Sequence, residues 1–274
     1  MSLINDKIIL PTDLPIVSRL RLLGALAESM NCCNSTVIAG RTGRGKTMLA
    51  TDFAGRCGRR VAWYKLDAPE IDLQLFLRYL IASVRSRQPD FGRKTLALLQ
   101  DGNNGHHPEG APPLLAESLV YELLSVGEGE PLLLVLDDLH LVYDAGWVIP
   151  FFSRLLPLLP PEVHLILLGR TLPPAPLWRM RSKQTLRVVD ESALLFNVCE
   201  AEELFASHGL SRESAARALA ETRGRAACID TLARDGAKAA REEDSRSKDE
   251  EKQAAGAQLR LVKSLAAKMP LRAT

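Results

Sequence analysis

The sequence lacks the features of a metal-binding or membrane-inserted chain. Its five cysteines are an odd number without C-x-x-C spacing, so a zinc site is not expected. No uncharged stretch approaches the roughly 18 residues that span a bilayer, and no apolar run follows a basic start at the beginning of the sequence. We therefore expect reduced thiols and a cytoplasmic protein.

The sequence also lacks a strong excess of charge of either sign. The 35 Lys and Arg residues nearly balance 33 Asp and Glu residues, for a formal net charge of +2. This balance gives no electrostatic reason to expect nucleic acid as a partner. The 274 residues, 46% of them hydrophobic, have ordinary globular composition and suffice for one core domain of roughly 200 residues with a small appended unit.

One loop pattern in the sequence carries specific chemistry. Residues 40–47 fit G-x-x-x-x-G-K-[ST] without a mismatch. In this pattern the glycines allow a tight turn, the lysine reaches the β- and γ-phosphates, and the hydroxyl coordinates Mg²⁺. An ordinary Gly-rich turn is the alternative, but a strand predicted at 35–39 and a helix predicted at 47–54 favour the phosphate loop. The predicted nucleotide contacts are Gly40, Arg41, Thr42, Gly43, Arg44, Gly45, Lys46, Thr47 and Met48.

A pair of carboxylates follows an apolar run typical of a buried parallel strand. The run at 131–136 ends at Asp137 and Asp138. Ligands of open α/β sheets lie beyond the carboxyl ends of the strands, so Asp137 is expected to hold Mg²⁺ directly or through water. Asp138 lies one residue further, where it can orient or deprotonate an attacking water. A solvated turn is the alternative, and the position of the pair after the phosphate loop favours the metal site.

Further strands are predicted at 60–67, at 163–169 and, as a short last strand, at 194–196. Arg170 follows the second of these on the edge predicted for Asp137. A cation there can contact the γ-phosphate and stabilise charge during hydrolysis. An ion pair that closes the end of the strand is the alternative.

The remaining sequence predicts helices, one loop and a charged tail. The segment 88–113 is polar and rich in turn-forming residues, which predicts an exposed loop. Its adjacent His106 and His107 lack further ligands at metal-binding spacing. From residue 236 the mixed charges predict a solvated helix or partly disordered tail. The predicted helices are a lead-in helix that includes residues 22–30, and helices at 72–84, 200–208, 212–222 and 226–234.

Together these segments resemble the ATPase domain of MalT-like, LuxR-family regulators, in the STAND class of P-loop NTPases. The resemblance implies an α/β fold, with a five-stranded parallel sheet flanked by helices and followed by a small helical lid. It also implies that ADP locks a resting form and that ATP permits an active, self-associating one. The segments that carry the resemblance are 17–23, 39–47, 61–67, 76–82, 134–138 and 167–174.

The resemblance also implies roles for two arginines that the residues alone do not assign. Base and ribose contacts are implied near Arg19 and Arg21, whereas solvation of a helix start is the alternative for surface arginines. The family lid often carries Gly-x-Pro, but here Ala226 stands at the proline position. The implied units are a lead-in helix at 1–34, the NTPase core at 35–198, the lid at 199–235 and the charged tail at 236–274.

The functional expectation is an ATP-binding signalling switch with weak Mg²⁺-dependent ATPase activity, in transcriptional or other regulation. Lys46, Asp138 and Arg170 are its expected catalytic residues, and Thr47 with Asp137 its metal ligands. A non-catalytic nucleotide-binding adaptor that acts through the lid and tail is the alternative. Residues after 234 show no helical repeat and no helix-turn-helix. We therefore expect a protein partner or ATP-dependent homo-oligomer, without sequence-specific DNA binding by this chain alone.

Overall fold

The computed structural model describes residues 5–67, 72–86, 88–101, 111–127, 131–183, 185–243 and 245–246. Its centre is a five-stranded parallel sheet in the order β2-β3-β4-β1-β5. All residues of β1, β3 and β4 are buried, which explains why these strands are continuous apolar runs. The strands are β1 (Ser35–Ala39), β2 (Arg60–Lys65), β3 (Leu132–Asp137), β4 (Val163–Gly169) and β5 (Leu186–Val189).

Helices cover both faces of this sheet and form a separate unit after β5. In the part of the chain described, no helix is long and apolar enough to cross a membrane. Short 3-10 helices are Asn5–Ile8, Leu139–Val142 and Arg179–Lys183. The α-helices are α1 (Leu20–Cys32), α2 (Lys46–Arg56), α3 (Leu73–Arg85), α4 (Arg93–Asp101), α5 (Ala111–Gly127), α6 (Val148–Leu158), α7 (Ala175–Trp178), α8 (Val198–Ser207), α9 (Arg212–Thr222) and α10 (residues 226–243).

The sheet divides the core into two hydrophobic layers, because successive strand residues point to opposite faces. Val37 of β1 belongs to the layer that contains Phe76 of α3 and Phe151 of α6. Its neighbour Ile38 belongs to the layer that contains Phe53 of α2. The predicted α/β fold with a parallel sheet flanked by helices is confirmed.

Helices α8, α9 and α10 form the lid, which has a small apolar core of its own. Leu204, Ala215 and Ile229 come from the three lid helices, and Val17 packs among them from the segment before α1. The N-terminal segment therefore ties the lid to the sheet. Helix α10 continues through residue 235 without a break, and residues 247–274 of the predicted tail lie outside the described residues.

The prediction of a last strand at 194–196 was wrong. The fifth strand is β5, which pairs in parallel with β1. Leu194 is buried against the α1–α2 layer from a turn instead. The apolar side chain of Leu194 is therefore explained by burial in that layer and not by pairing in the sheet.

The prediction of an exposed loop at 88–113 was also wrong over much of its length. Helix α4 occupies its middle and α5 begins at its end. Phe91 and Leu99 are buried in the core layer that includes α3. The adjacent histidines of this segment, His106 and His107, lie outside the described residues.

Candidate functional site

The glycine-rich loop connects β1 to α2 in the conformation that its glycines allow. Gly43 and Gly45 have φ angles of 79° and 78°, a region that residues with a side chain rarely adopt. At the other end of the loop, the N–H of Gly40 donates to the carbonyl of Gly169 at 3.1 Å. Helix α2 begins at Lys46, so its first-turn N–H groups, which have no intrahelical partner, lie at the loop and can bind an anion.

The Lys46 ammonium group lies across this loop. Its Nζ donates to the carbonyl oxygens of Gly40 at 2.6 Å and Arg41 at 3.3 Å. Burial lowers the pKa of Lys46, while the charges of Asp138 and Asp137 act in the opposite direction. The buried Lys46 cation donates only to neutral carbonyl oxygens in this structure. A phosphate held by the loop would offer it a charged acceptor instead.

Thr47 and Asp137 are brought together although 90 residues separate them in sequence. The Thr47 hydroxyl donates to the two carboxylate oxygens of Asp137, at 3.1 and 3.3 Å. Burial raises the pKa of Asp137 to about 6, and the charge of Asp138 adds to the shift. A divalent cation beside Asp137 would stabilise its ionised form.

The chemistry of this pair fits Mg²⁺, which prefers hard oxygen ligands. Among the described residues there is no group of three or more His, Cys, Asp or Glu that could hold a metal. Mg²⁺ in phosphate-binding sites takes one or two protein oxygens and completes its shell with phosphates and water. A hydroxyl and one carboxylate beside a phosphate loop match that pattern.

Asp138 has backbone geometry that is rare for a residue with a side chain. Its φ is 59° and its ψ 31°, in the left-handed region, which asparagine and aspartate tolerate better than other residues. Its N–H donates to Asp137 Oδ1 at 3.0 Å, and its Oδ1 lies 3.7 Å from His140 Nδ1. The Asp138 carboxylate is partly exposed.

Arg170 follows β4, which lies beside β3 in the sheet. Its side chain is exposed, and its charge contributes to lowering the pKa values of Lys46 and His140, after the larger effect of burial. Within the residues described, no hydrogen bond or ion pair of Arg170 is present. The structure thus places a free cation at the edge that also holds Lys46 and Asp137.

Glu191 holds the outer side of the loop, and the sequence analysis missed it. Its carboxylate accepts from the N–H of Arg41 at 3.2 Å and pairs with the Arg44 guanidinium. It stands in the turn after β5. No motif marks an acidic residue there, so only the folded chain identifies its role.

A cavity of about 330 Å³ adjoins the loop and is lined by α2, the N-terminal segment and the lid. Arg19 lines it and is only 6% exposed. Burial lowers the pKa of Arg19 to about 10, so the side chain remains a cation at neutral pH. The lining residues are Leu14, Pro15, Ile16, Val17, Arg19, Gly43, Gly45, Met48, Leu49, Asp52, Phe196, Leu204, Ala226, Ala227, Asp230 and Arg234.

Arg21 lies apart from the cavity lining and holds the turn that leads into the lid. Its Nη1 donates to the Ala193 carbonyl at 3.1 Å, and its Nη2 to the Leu195 carbonyl at 3.2 Å. It also pairs with Glu200 of α8 at 3.4 Å. The two arginines assigned together from the resemblance therefore have different surroundings.

The lid touches the phosphate loop directly. The N–H of Ala227 donates to the Gly43 carbonyl at 2.9 Å, and Ala226 lines the cavity where the family pattern has proline. Gly224 before them has a φ of 74°, and a Cβ there would lie 2.7 Å from the Phe196 carbonyl. The alanine does not prevent contact between the lid and the loop.

Comparison with known proteins finds similar sequences among transcriptional regulators. The chain is 32% identical over 207 residues to the HTH-type transcriptional regulator MalT of Serratia proteamaculans, covering 74% of this chain and 22% of the relative. The same regulator of Yersinia enterocolitica is 32% identical over 206 residues, with the same coverage. No protein-family model matches the sequence.

Two solved structures share the fold at low sequence identity. A STAND ATPase with a tetratricopeptide repeat sensor from Pyrococcus horikoshii has a TM-score of 0.53 and 17% identity, covering 78% of this chain and 29% of that one. A Walker-type ATPase of Pyrococcus abyssi has a TM-score of 0.51 and 16% identity, covering 93% and 77%. These likenesses concern the fold alone.

Fold and loop together define a P-loop NTPase domain. Over these residues the sequence is similar to MalT regulators, and the fold is similar to that of a STAND ATPase. The chain spans 22% of the length of the regulators that it matches.

Proposed function

We propose that this domain is an ATP-binding switch with weak Mg²⁺-dependent ATPase activity. The observation that carries the proposal is the hydrogen bond from Thr47 to Asp137. It joins a loop suited to phosphates to a buried carboxylate suited to Mg²⁺. The similarity to MalT regulators and the STAND-like fold support the same function.

The proposed site divides the nucleotide between two regions. Lys46 and the first-turn N–H groups of α2 hold the β- and γ-phosphates, with Mg²⁺ at Thr47 and Asp137. When bound, the cation neutralises charge on the phosphates and orients them. The base and ribose occupy the cavity beside Arg19.

Two residues carry the proposed hydrolysis and its detection. Asp138 accepts a proton from the attacking water, for which its partial exposure leaves room. Arg170, which is exposed at the same edge of the sheet, contacts the γ-phosphate. ADP lacks that group, so this contact gives ATP a differential affinity for one state of the switch.

The lid is the proposed moving element. It touches the nucleotide loop through one backbone hydrogen bond, from Ala227 to Gly43, and its lining residues face the cavity. We propose that ADP favours the resting arrangement and that ATP favours an active, self-associating one. Output then passes through a protein partner or a second copy, without sequence-specific DNA binding by these residues alone.

A non-catalytic nucleotide-binding adaptor is the second candidate. It is favoured by the lid, which already rests on the phosphate loop, and by Lys46, which is satisfied by loop carbonyls. Such a protein would bind nucleotide tightly without turnover.

Phosphate release from Mg-ATP separates the two candidates. Asp138→Asn should lower turnover by about 10²–10⁴-fold, the usual contribution of a general base, while ATP binding persists. Asp144→Asn alters an exposed carboxylate a few residues away and should behave as wild type. ATP binding without measurable release by the wild-type protein would favour the adaptor.

A further inference from the structure

Asp52 is an acidic residue buried in the wall of the cavity. It lies on α2, is 3% exposed and lines the cavity. Its Oδ1 accepts a hydrogen bond from Arg56 Nε at 2.6 Å. Its Oδ2 is buried and has no hydrogen-bond partner within the described part of the chain. A buried acceptor left unpaired is costly, so a ligand donor that reached this oxygen from the cavity would offset that cost.

The position of Asp52 is fixed by its neighbours. Arg56 stands one helical turn later on α2 and also donates to Ser18 Oγ at 2.7 Å, which links it to the segment before α1. This anchor engages one carboxylate oxygen and leaves the other unpaired. The acceptor is therefore preorganised and needs little ordering when a ligand binds.

The cavity leads from the phosphate loop toward Asp52. Gly43 and Gly45 line it at the loop, and Asp52 is six residues beyond Lys46 on α2, about 9 Å along the helix axis. A nucleotide whose phosphates lie at Lys46 would extend its base in this direction. Aliphatic lining residues such as Ile16 and Met48 suit the faces of a flat base.

The other charged groups of the lining are Arg19, which only donates, and an ion pair whose carboxylate, Asp230, is 34% exposed, compared with 4% for Asp52. Asp230 and Arg234 pair with each other at 2.9 Å. Arg19 donates to the Leu194 carbonyl at 2.7 Å. Asp52 thus provides the buried side-chain acceptor that remains for a donor on the base.

We propose that Asp52 selects a purine with an amino group at position 6, through a hydrogen bond from that amino group to its carboxylate. The inference rests on the proposed function, because it assigns base selection within the same site. An ionised carboxylate only accepts hydrogen bonds, so a 6-amino group is attracted and a 6-oxo group is repelled. ATP should therefore be preferred over ITP.

The ligand series can be measured on the wild-type protein by calorimetry. ATP carries the 6-amino group, ITP a 6-oxo group, and purine riboside triphosphate neither. Loss of a hydrogen bond to a buried charged group should weaken the two analogues by roughly tenfold or more relative to ATP. Equal affinity for all three would overturn the inference and leave nucleotide binding intact.

Substitution of Asp52 provides the second test of the inference. In Asp52→Asn, the amide oxygen should accept the hydrogen bond from Arg56. The amide N–H₂ would then take the place of the unpaired carboxylate oxygen. This variant should level or invert the ratio of ATP to ITP affinity, and Asp52→Ala should level it. Asp235→Asn removes an exposed carboxylate outside the cavity lining and should keep the wild-type ratio.

The outcomes separate this inference from the function on which it rests. A wild-type preference for ATP that persists in both Asp52 variants would overturn the inference and assign the base contact to another acceptor. Absence of binding by every triphosphate would overturn both the inference and the proposed function.

Discussion

Replacement of Arg19 by alanine should weaken both the attachment of the lid to the core and nucleotide binding. Arg19 Nη1 donates to the buried-side carbonyl of Leu194 at 2.7 Å, and its guanidinium lies 5.2 Å from the centre of the Phe196 ring. The Nη2 contact to the Arg44 carbonyl is 3.5 Å long and contributes little at that length. One buried side chain thus connects α1 with the turn that enters the lid.

The size of the effect follows from these contacts. A hydrogen bond from a charged donor contributes about 1.5–3 kcal/mol, and a desolvated cation–π contact about 0.5–2 kcal/mol. Since Arg19 is 6% exposed, solvent screening removes little of either. Arg19→Ala should therefore lower the free energy of unfolding by about 2–5 kcal/mol.

Urea unfolding, followed by circular dichroism, measures this loss, and calorimetry with Mg-ADP measures binding. Arg19→Lys keeps the charge but not the planar, multi-donor head group, so it should recover only part of the stability. Arg78→Ala on the exposed face of α3 is the matched control. An unfolding midpoint for Arg19→Ala equal to wild type, with unchanged affinity, would refute the reasoning.

Two further predictions concern a surface cation and a buried histidine. Arg170→Ala should reduce the difference between ATP and ADP affinity and should weaken ATP-driven association, measured by light scattering. The control Arg78→Ala should change neither. If Arg170→Ala keeps the wild-type affinity ratio and association, Arg170 does not sense the γ-phosphate. Burial lowers the pKa of His164 to about 4, and its ring contacts the Cys33 carbonyl and the Thr36 hydroxyl, so the native state holds it neutral. The unfolded state binds the extra proton as pH falls below about 6.5, so stability should drop by about 2 kcal/mol from pH 8 to pH 5. In His164→Gln, the free energy of unfolding measured with urea should lack this drop between pH 8 and pH 5. The same pH dependence in the variant and the wild type would contradict the prediction.

The sequence predicted the elements whose signal is local. Continuous apolar runs located β1, β3 and β4, and the motif from Gly40 to Thr47 located the turn between β1 and α2. The rule that ligands lie at the carboxyl ends of strands predicted Asp137 at the phosphate loop, and the structure has it bonded to Thr47. In each case burial or loop geometry requires particular residue types, so the residues alone carry the information.

Elements that depend on tertiary context were missed. The sequence analysis assigned no helix to α5, which opens with Ala111-Pro112-Pro113, although prolines are tolerated in a first helical turn. Helix α6 contains Pro157 near its end. Strand β5 has only four residues, and its pairing with β1 decides its structure.

Local motifs predicted the candidate site at the phosphate loop, whereas only the resemblance indicated the region proposed for the base, near Arg19 and Arg21. Motif spacing identifies Lys46, but nothing local marks Glu191 as a neighbour of the loop or Asp52 as part of the cavity wall. Glu191 reaches the loop from a turn after β5, and Asp52 lines a cavity that lid residues also line. Those contacts join distant segments, so the sequence pattern has no signal for them.

Calorimetry of Mg-ATP binding tests the central claim most directly. Lys46→Ala and Thr47→Ala each remove a charged or metal-linked contact worth about 1.5–3 kcal/mol, so each should weaken binding by about tenfold or more. Lys94→Ala removes a lysine that packs on Tyr121 instead and should bind as wild type. Unchanged Mg-ATP affinity in both loop variants would contradict the assignment of residues 40–47 as a phosphate loop.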